Sequence, residues 1–79
     1  MRQFEFVLYH GKANRLKTTA TLDAITPGQA LDAFCTEMRC DHFGIRYEQP
    51  GRIGEHVYNA WSAACDISGQ RIYIKERMN

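Results

Sequence analysis

The sequence predicts an α+β fold: a single antiparallel sheet in the order β-β-α-β-β-β, with one helix packed on one face. Three observations carry this. Segments near both ends alternate apolar and polar residues with period two, the mark of half-buried strands. One stretch, following Thr26-Pro27-Gly28-Gln29, has helical spacing instead. A chain of 79 residues makes one domain, spanning 1–79, in which five strands cannot enclose a lone helix. The helix must cover one side of the sheet and leave the other open.

Taken in order, Phe4, Phe6 and Leu8 point one way from a strand over 2–10, and Gln3, Glu5, Val7 and Tyr9 the other. Gly11-Lys12-Ala13-Asn14 is a turn signal. A second strand over 15–25 sets Leu16, Ala20, Leu22 and Ala24 against Arg15, Lys17, Thr19 and Thr21, with threonine suited to a pleated face that has one wet side. These two strands most simply form a hairpin. Thr26 and Gln29 have the spacing of a capping box, and Pro27 falls at the first helical position, where its missing N–H costs nothing. Ala30, Leu31, Phe34, Cys35 and Met38 then form one helical stripe, which predicts a helix over 27–40. Its end is expected at Asp41 to Gly44, with Gly44 taking the left-handed conformation.

Past the helix, Phe43 to Glu48 alternates as a strand, and Pro50-Gly51 has the signature of a type II turn. Residues 55–65 fit either period. They are read as a strand because Asp66-Ile67-Ser68-Gly69 forms a turn leading into a clear strand over 70–77, with Ile72 and Ile74 inward. Trp61 belongs to the core if it shares the side of Val57 and Cys65, and to the open face as an interface anchor if the register is flipped.

Composition narrows the function. With 44% hydrophobic and 24% charged residues, six Gly and two Pro, the chain is neither disordered nor fibrous. No apolar run is long enough to span a membrane, and the opening Met1-Arg2-Gln3-Phe4-Glu5 does not read as a signal peptide. Three cysteines are too few for a disulfide scaffold and favour a reducing, cytoplasmic setting. A formal net charge of +1 conceals a layout: residues 1–20 carry +3, 21–50 carry −3 and 51–79 carry +1. The acids Asp23, Asp32, Glu37, Asp41 and Glu48 lie on the helix and its flanks. A basic sheet and an acidic helix side suit docking in a fixed orientation.

The candidate binding residues are those expected on the open face: Tyr9, Arg15 and Lys17 from the hairpin, and Arg71, Tyr73, Lys75 and Arg77 from the last strand. Lys and Arg neutralise phosphates and tyrosine faces stack on bases, so this face fits a nucleic-acid backbone. It fits an acidic protein surface equally well, and charge that merely solubilises a sheet face has the same pattern.

Cys35-x4-Cys40-x-His42, with His56 or Cys65 as a fourth ligand, invites a zinc reading. On a helix reaching residue 40, however, positions 35 and 40 diverge by about 140°, so no metal or other cofactor is expected. Cys35 sits in mid-helix and Cys40 near the helix C-terminus, where neither thiol is activated. No nucleotide-binding, hydrolase or metalloprotease motif occurs. The expectation is a protein that is not an enzyme, with no catalytic residue.

A short chain with an N-terminal hairpin, a helix capped by Thr26, Gln29 and Ala30, and a closing hairpin that ends in a basic strand resembles small phage-encoded anti-CRISPR proteins. The likeness is to those that inhibit type I CRISPR–Cas surveillance complexes. It implies a stoichiometric inhibitor in the host cytoplasm, without catalysis or cofactor, that binds a large host protein or nucleoprotein complex and blocks target-DNA pairing. The acidic helix side would mimic DNA, or the basic face would grip nucleic acid or acidic protein. Direct nucleic-acid binding through the basic, aromatic open face is the alternative. A sheet with two edges is compatible with a monomer or an edge-paired homodimer.

Overall fold

The computed structural model describes residues 1–10, 15–66 and 69–78, with the side chains of 10, 15–17, 49, 50 and 53 left aside. The elements run β1 (Arg2–His10), β2 (Arg15–Ala24), α1 (Pro27–Met38), β3 (His42–Ile53), β4 (His56–Cys65) and β5 (Gln70–Arg77). The five strands form one antiparallel sheet in the order β2-β1-β5-β4-β3, and α1 packs against β2, β1 and β3. Among the described residues, no helix is long and apolar enough to cross a membrane.

Strand order follows from which strands have the most to bury. β5 is the middle strand and β1 lies beside it, and their alternate residues Phe4, Phe6, Leu8, Ile72 and Ile74 are all buried beneath the helix. The helix supplies Ala30, Leu31, Phe34 and Cys35 to the same core, the stripe expected from its spacing. Phe6 and Phe34 stack with centroids 4.7 Å apart and planes 9° from parallel. Trp61 lies on this side, partly buried, edge-on to Phe4 at 5.9 Å and to Tyr47 at 5.7 Å. Its two alternatives are thereby resolved toward the core.

The inward row of β5 ends on a charge. Glu76 is 7% exposed and is held by Arg2, whose Nη2 donates to Oε1 at 2.7 Å and whose Nε donates to Oε2. The bidentate pair pins the start of β1 to the end of β5. The guanidinium holds the Glu76 carboxyl below its ordinary range, chiefly by hydrogen bonding and against the opposing effect of burial.

Three local readings need correction. First, α1 begins as expected, with Thr26 Oγ1 accepting from Gln29 N at 3.1 Å, while Gln29 Oε1 reaches one residue past the cap to Ile25 N at 3.4 Å. But it ends at Met38 rather than residue 40. Arg39 takes the left-handed conformation (φ 55) and Cys40 N turns back to Cys35 O at 3.0 Å. Gly44 does have positive φ, at 59, but it serves a bulge within β3, where the register shifts between Phe43 and Arg46.

Second, Pro50-Gly51 is not a turn. β3 runs through it to Ile53 with a second register shift between Glu48 and Gly51. β3 is an edge strand, where proline withholds no ladder hydrogen bond. The turn falls instead at Gly54-Glu55, with Gly54 at φ 61 between the paired Ile53 and His56, the glycine placement of a two-residue hairpin.

Third, β2 does not keep one parity. A shift opposite Leu8 and Tyr9 pairs Leu8 with Thr18 and Tyr9 with Leu16, so Lys17 is the extra residue of a bulge. The Gly11–Asn14 turn, and Ile67 and Ser68 of the other predicted turn, lie outside the described residues.

Candidate functional site: the open sheet face

Residues directly opposite on neighbouring strands share a face, so the register maps the side of the sheet that α1 leaves uncovered. One row crosses it as Phe43, Ala64, Arg71 and Tyr9; the next as Arg46, Ser62, Tyr73, Val7 and Thr19; a third as Glu48, Ala60, Lys75, Glu5 and Thr21. Arg77 faces Tyr58 in the row beyond. The face exists because β5 alternates strictly, Ile72 and Ile74 inward and Arg71, Tyr73, Lys75 and Arg77 outward.

At its centre Tyr9 and Tyr73 meet edge to face, with centroids 6.2 Å apart, beside Val7. These three, with Glu5 and Lys75, line a shallow depression. Tyr73 remains 41% exposed. The aromatic centre is bordered by the exposed Arg46 and Arg71, and the exposed Arg77 lies two rows beyond Tyr73. Phe43, 58% exposed, extends the apolar area toward the β3 edge.

The cations are not equivalent. Lys75 Nζ lies 3.7 Å from Glu5 Oε2 and 4.9 Å from the ring centroid of Tyr58, so part of its charge is answered within the sheet. Ser62 is 1% exposed although it points to the open side, and it is satisfied by donating to Glu48 Oε1 at 2.7 Å. Glu5 and Glu48 are thus both engaged with neighbours.

Of the seven residues expected here, the structure brings Tyr9, Arg71, Tyr73, Lys75 and Arg77 together. Arg15 and Lys17 lie on β2, but their side chains are outside those described, and the bulge pairs Tyr9 with Leu16 rather than with either. The sequence reading missed Glu5, Arg46, Phe43 and Tyr58. Glu5 was legible from its parity with Val7. Phe43 and Arg46 share a face only because of the Gly44-Ile45 bulge, which simple alternation hides.

The expected division into basic sheet and acidic helix side is also weaker than the linear charge count implies. Glu48 belongs to the open face, and Asp23 pairs with Gln3 on that parity. Asp32 and Glu37 stay on the helix, where Asp32 Oδ1 meets His42 Nε2 at 2.7 Å.

A second cluster lies at the C-terminal end of α1. The early helix stop takes Cys40 off the helix and folds it back over the last turn. There the donor atoms of Cys40, Cys65 and Asp66 all lie within 4.8 Å of one another. No disulfide joins the three cysteines. Burial pushes the Cys35 and Cys40 thiols up, which makes both poor nucleophiles.

Comparison with known proteins finds no match: no family model fits the chain, and no curated protein or solved structure matches it.

Proposed function

We propose that this chain is a small binding protein that acts without catalysis, docking the open face of its sheet on a larger nucleoprotein assembly and occluding it. The observation that carries the reading is the Tyr9–Tyr73 pair beside Val7, left uncovered on two neighbouring interior strands and bordered by Arg46 and Arg71. Two tyrosines and several arginines around a shallow apolar centre have the composition of an interface core. The resemblance to anti-CRISPR proteins names the assembly: a type I CRISPR–Cas surveillance complex, whose target-DNA binding the protein would block.

Mixing the protein with a purified type I complex tests this. Co-elution with loss of target-DNA binding is expected. Absence of both, at concentrations well above that of the complex, removes the reading.

A second reading, direct binding of single-stranded nucleic acid, is favoured by one specific feature, the interleaving of tyrosine and arginine on β5. It predicts affinity that falls steeply as salt rises, and loss of binding when Arg71 and Arg77 are reversed to Glu. Salt-independent binding would exclude it.

A further inference from the structure

We propose that the thiols of Cys40 and Cys65, with the Asp66 carboxylate, form a site for a thiophilic divalent cation of the zinc class at the C-terminal end of α1. Its ligands come from two segments far apart in sequence. Arg39 turns the chain so that Cys40 folds back over the last turn of the helix. Cys65 and Asp66 arrive from the end of β4. The two segments are fastened by the backbone bond from Asp66 N to Asp41 O at 3.0 Å and by the pairing of His42 with Cys65.

This framework holds the donor atoms of Cys40, Cys65 and Asp66 within 4.8 Å of one another. Zinc–thiolate bonds of about 2.3 Å in a tetrahedron need sulfurs about 3.8 Å apart. Small side-chain rotations close that difference. Two thiolates and one carboxylate leave the fourth position of the tetrahedron to water.

Chemistry selects the ion. Two sulfurs and one carboxylate suit zinc rather than magnesium or calcium, which take oxygen ligands. His42 is not among the donors gathered within 4.8 Å, and its Nε2 meets Asp32 at 2.7 Å. The position has a structural rationale too. A domain this small gains from a staple, and a metal here would tie the connection between α1 and β3 to the end of β4.

The test uses the intact chain, reduced and without oxygen. Zinc is titrated against a chromophoric chelator, and cobalt is added as a spectroscopic substitute. One zinc per chain is expected, with thiolate-to-cobalt charge transfer and the intense visible bands of a tetrahedral site. Cys65→Ser, at the partly exposed position, should bind zinc at least ten-fold more weakly while keeping its circular dichroism. Asp66→Asn, which alters an exposed residue and spares the core, should weaken zinc without removing the charge-transfer band. Failure to bind zinc one to one, or a Cys65→Ser variant that binds like the parent, would overturn the site. An Asp66→Asn variant with parental affinity would overturn the assignment of the third ligand.

Discussion

The two faces of the sheet are built from the same strands and differ in almost everything else. Under the helix, Phe4, Phe6, Ile72 and Ile74 are at most 1% exposed and lock against Phe34 and Leu31. On the other side, one residue away along the same strands, Val7 and Tyr9 are partly exposed and Tyr73 more so. Period-two geometry makes this possible: adjacent positions on one strand can answer to different demands. The covered face carries the stability, and the open face is the one we propose for recognition. The two should therefore respond independently to substitution.

The strongest way to break that separation is to attack the covered face. Phe34→Ala removes the ring stacked on Phe6 and leaves a cavity under the sheet, at a cost of about 3–5 kcal/mol. Thermal unfolding should show a large loss of stability, while whatever fraction remains folded keeps its affinity for the partner. A fall in intrinsic affinity in step with stability would mean that the faces are coupled.

Next comes the open face. Tyr73→Ala combined with Arg71→Glu should reduce partner binding by tenfold to a hundredfold, about 1.4–2.7 kcal/mol. Its melting temperature should stay close to the parent's, because both side chains are exposed. A variant that melts early would show that this face is also structural.

Glu76 sharpens the comparison, since it is the one carboxylate buried on the covered side among the described residues. Its folded-state pKa lies below the ordinary value. The stability it contributes is therefore fully present above the ordinary carboxylate range and is lost as pH falls through the lowered value. Glu76→Gln should lower stability at neutral pH and flatten the acid limb of a pH–stability curve. An acid limb as steep as the parent's would remove Arg2–Glu76 from the account.

Two smaller effects complete the series. Thr26→Ala deletes the cap on Gln29 N and should cost about 1 kcal/mol, read as a lower denaturation midpoint with unchanged binding. Glu5→Gln on the open face breaks an exposed pair with Lys75 worth about 0.2–1 kcal/mol. It should leave stability nearly unchanged and, by releasing Lys75, tighten binding to an anionic surface.

How far the sequence reveals this molecule depends on where the chain obeys a regular period. β1, β5 and the start of α1 are legible because strict alternation and the Thr26-Pro27 cap each have a direct physical cause. The irregular points were hidden. A helix that closes on arginine instead of glycine leaves no compositional trace, and Gly44, the obvious stop, was needed for a bulge. Pro50-Gly51 looks like a turn, yet an edge strand absorbs it. The same miscount of the helix end concealed the approach of Cys40 to Cys65 and Asp66, because it kept Cys40 on the helix. On the open face, the β5 row was readable from sequence alone. Arg46 and Phe43 required the register that the β3 bulge creates.

The central claim is that the open face is the docking surface and the covered face is not. Inhibition of target-DNA binding by a purified type I surveillance complex, measured for the parent and for Arg71→Glu/Tyr73→Ala at matched folded concentrations, tests it most directly. The account predicts full inhibition by the parent near stoichiometric ratios and little by a variant with the parent's melting temperature. Equal inhibition by the two proteins, or none by the parent, would contradict it.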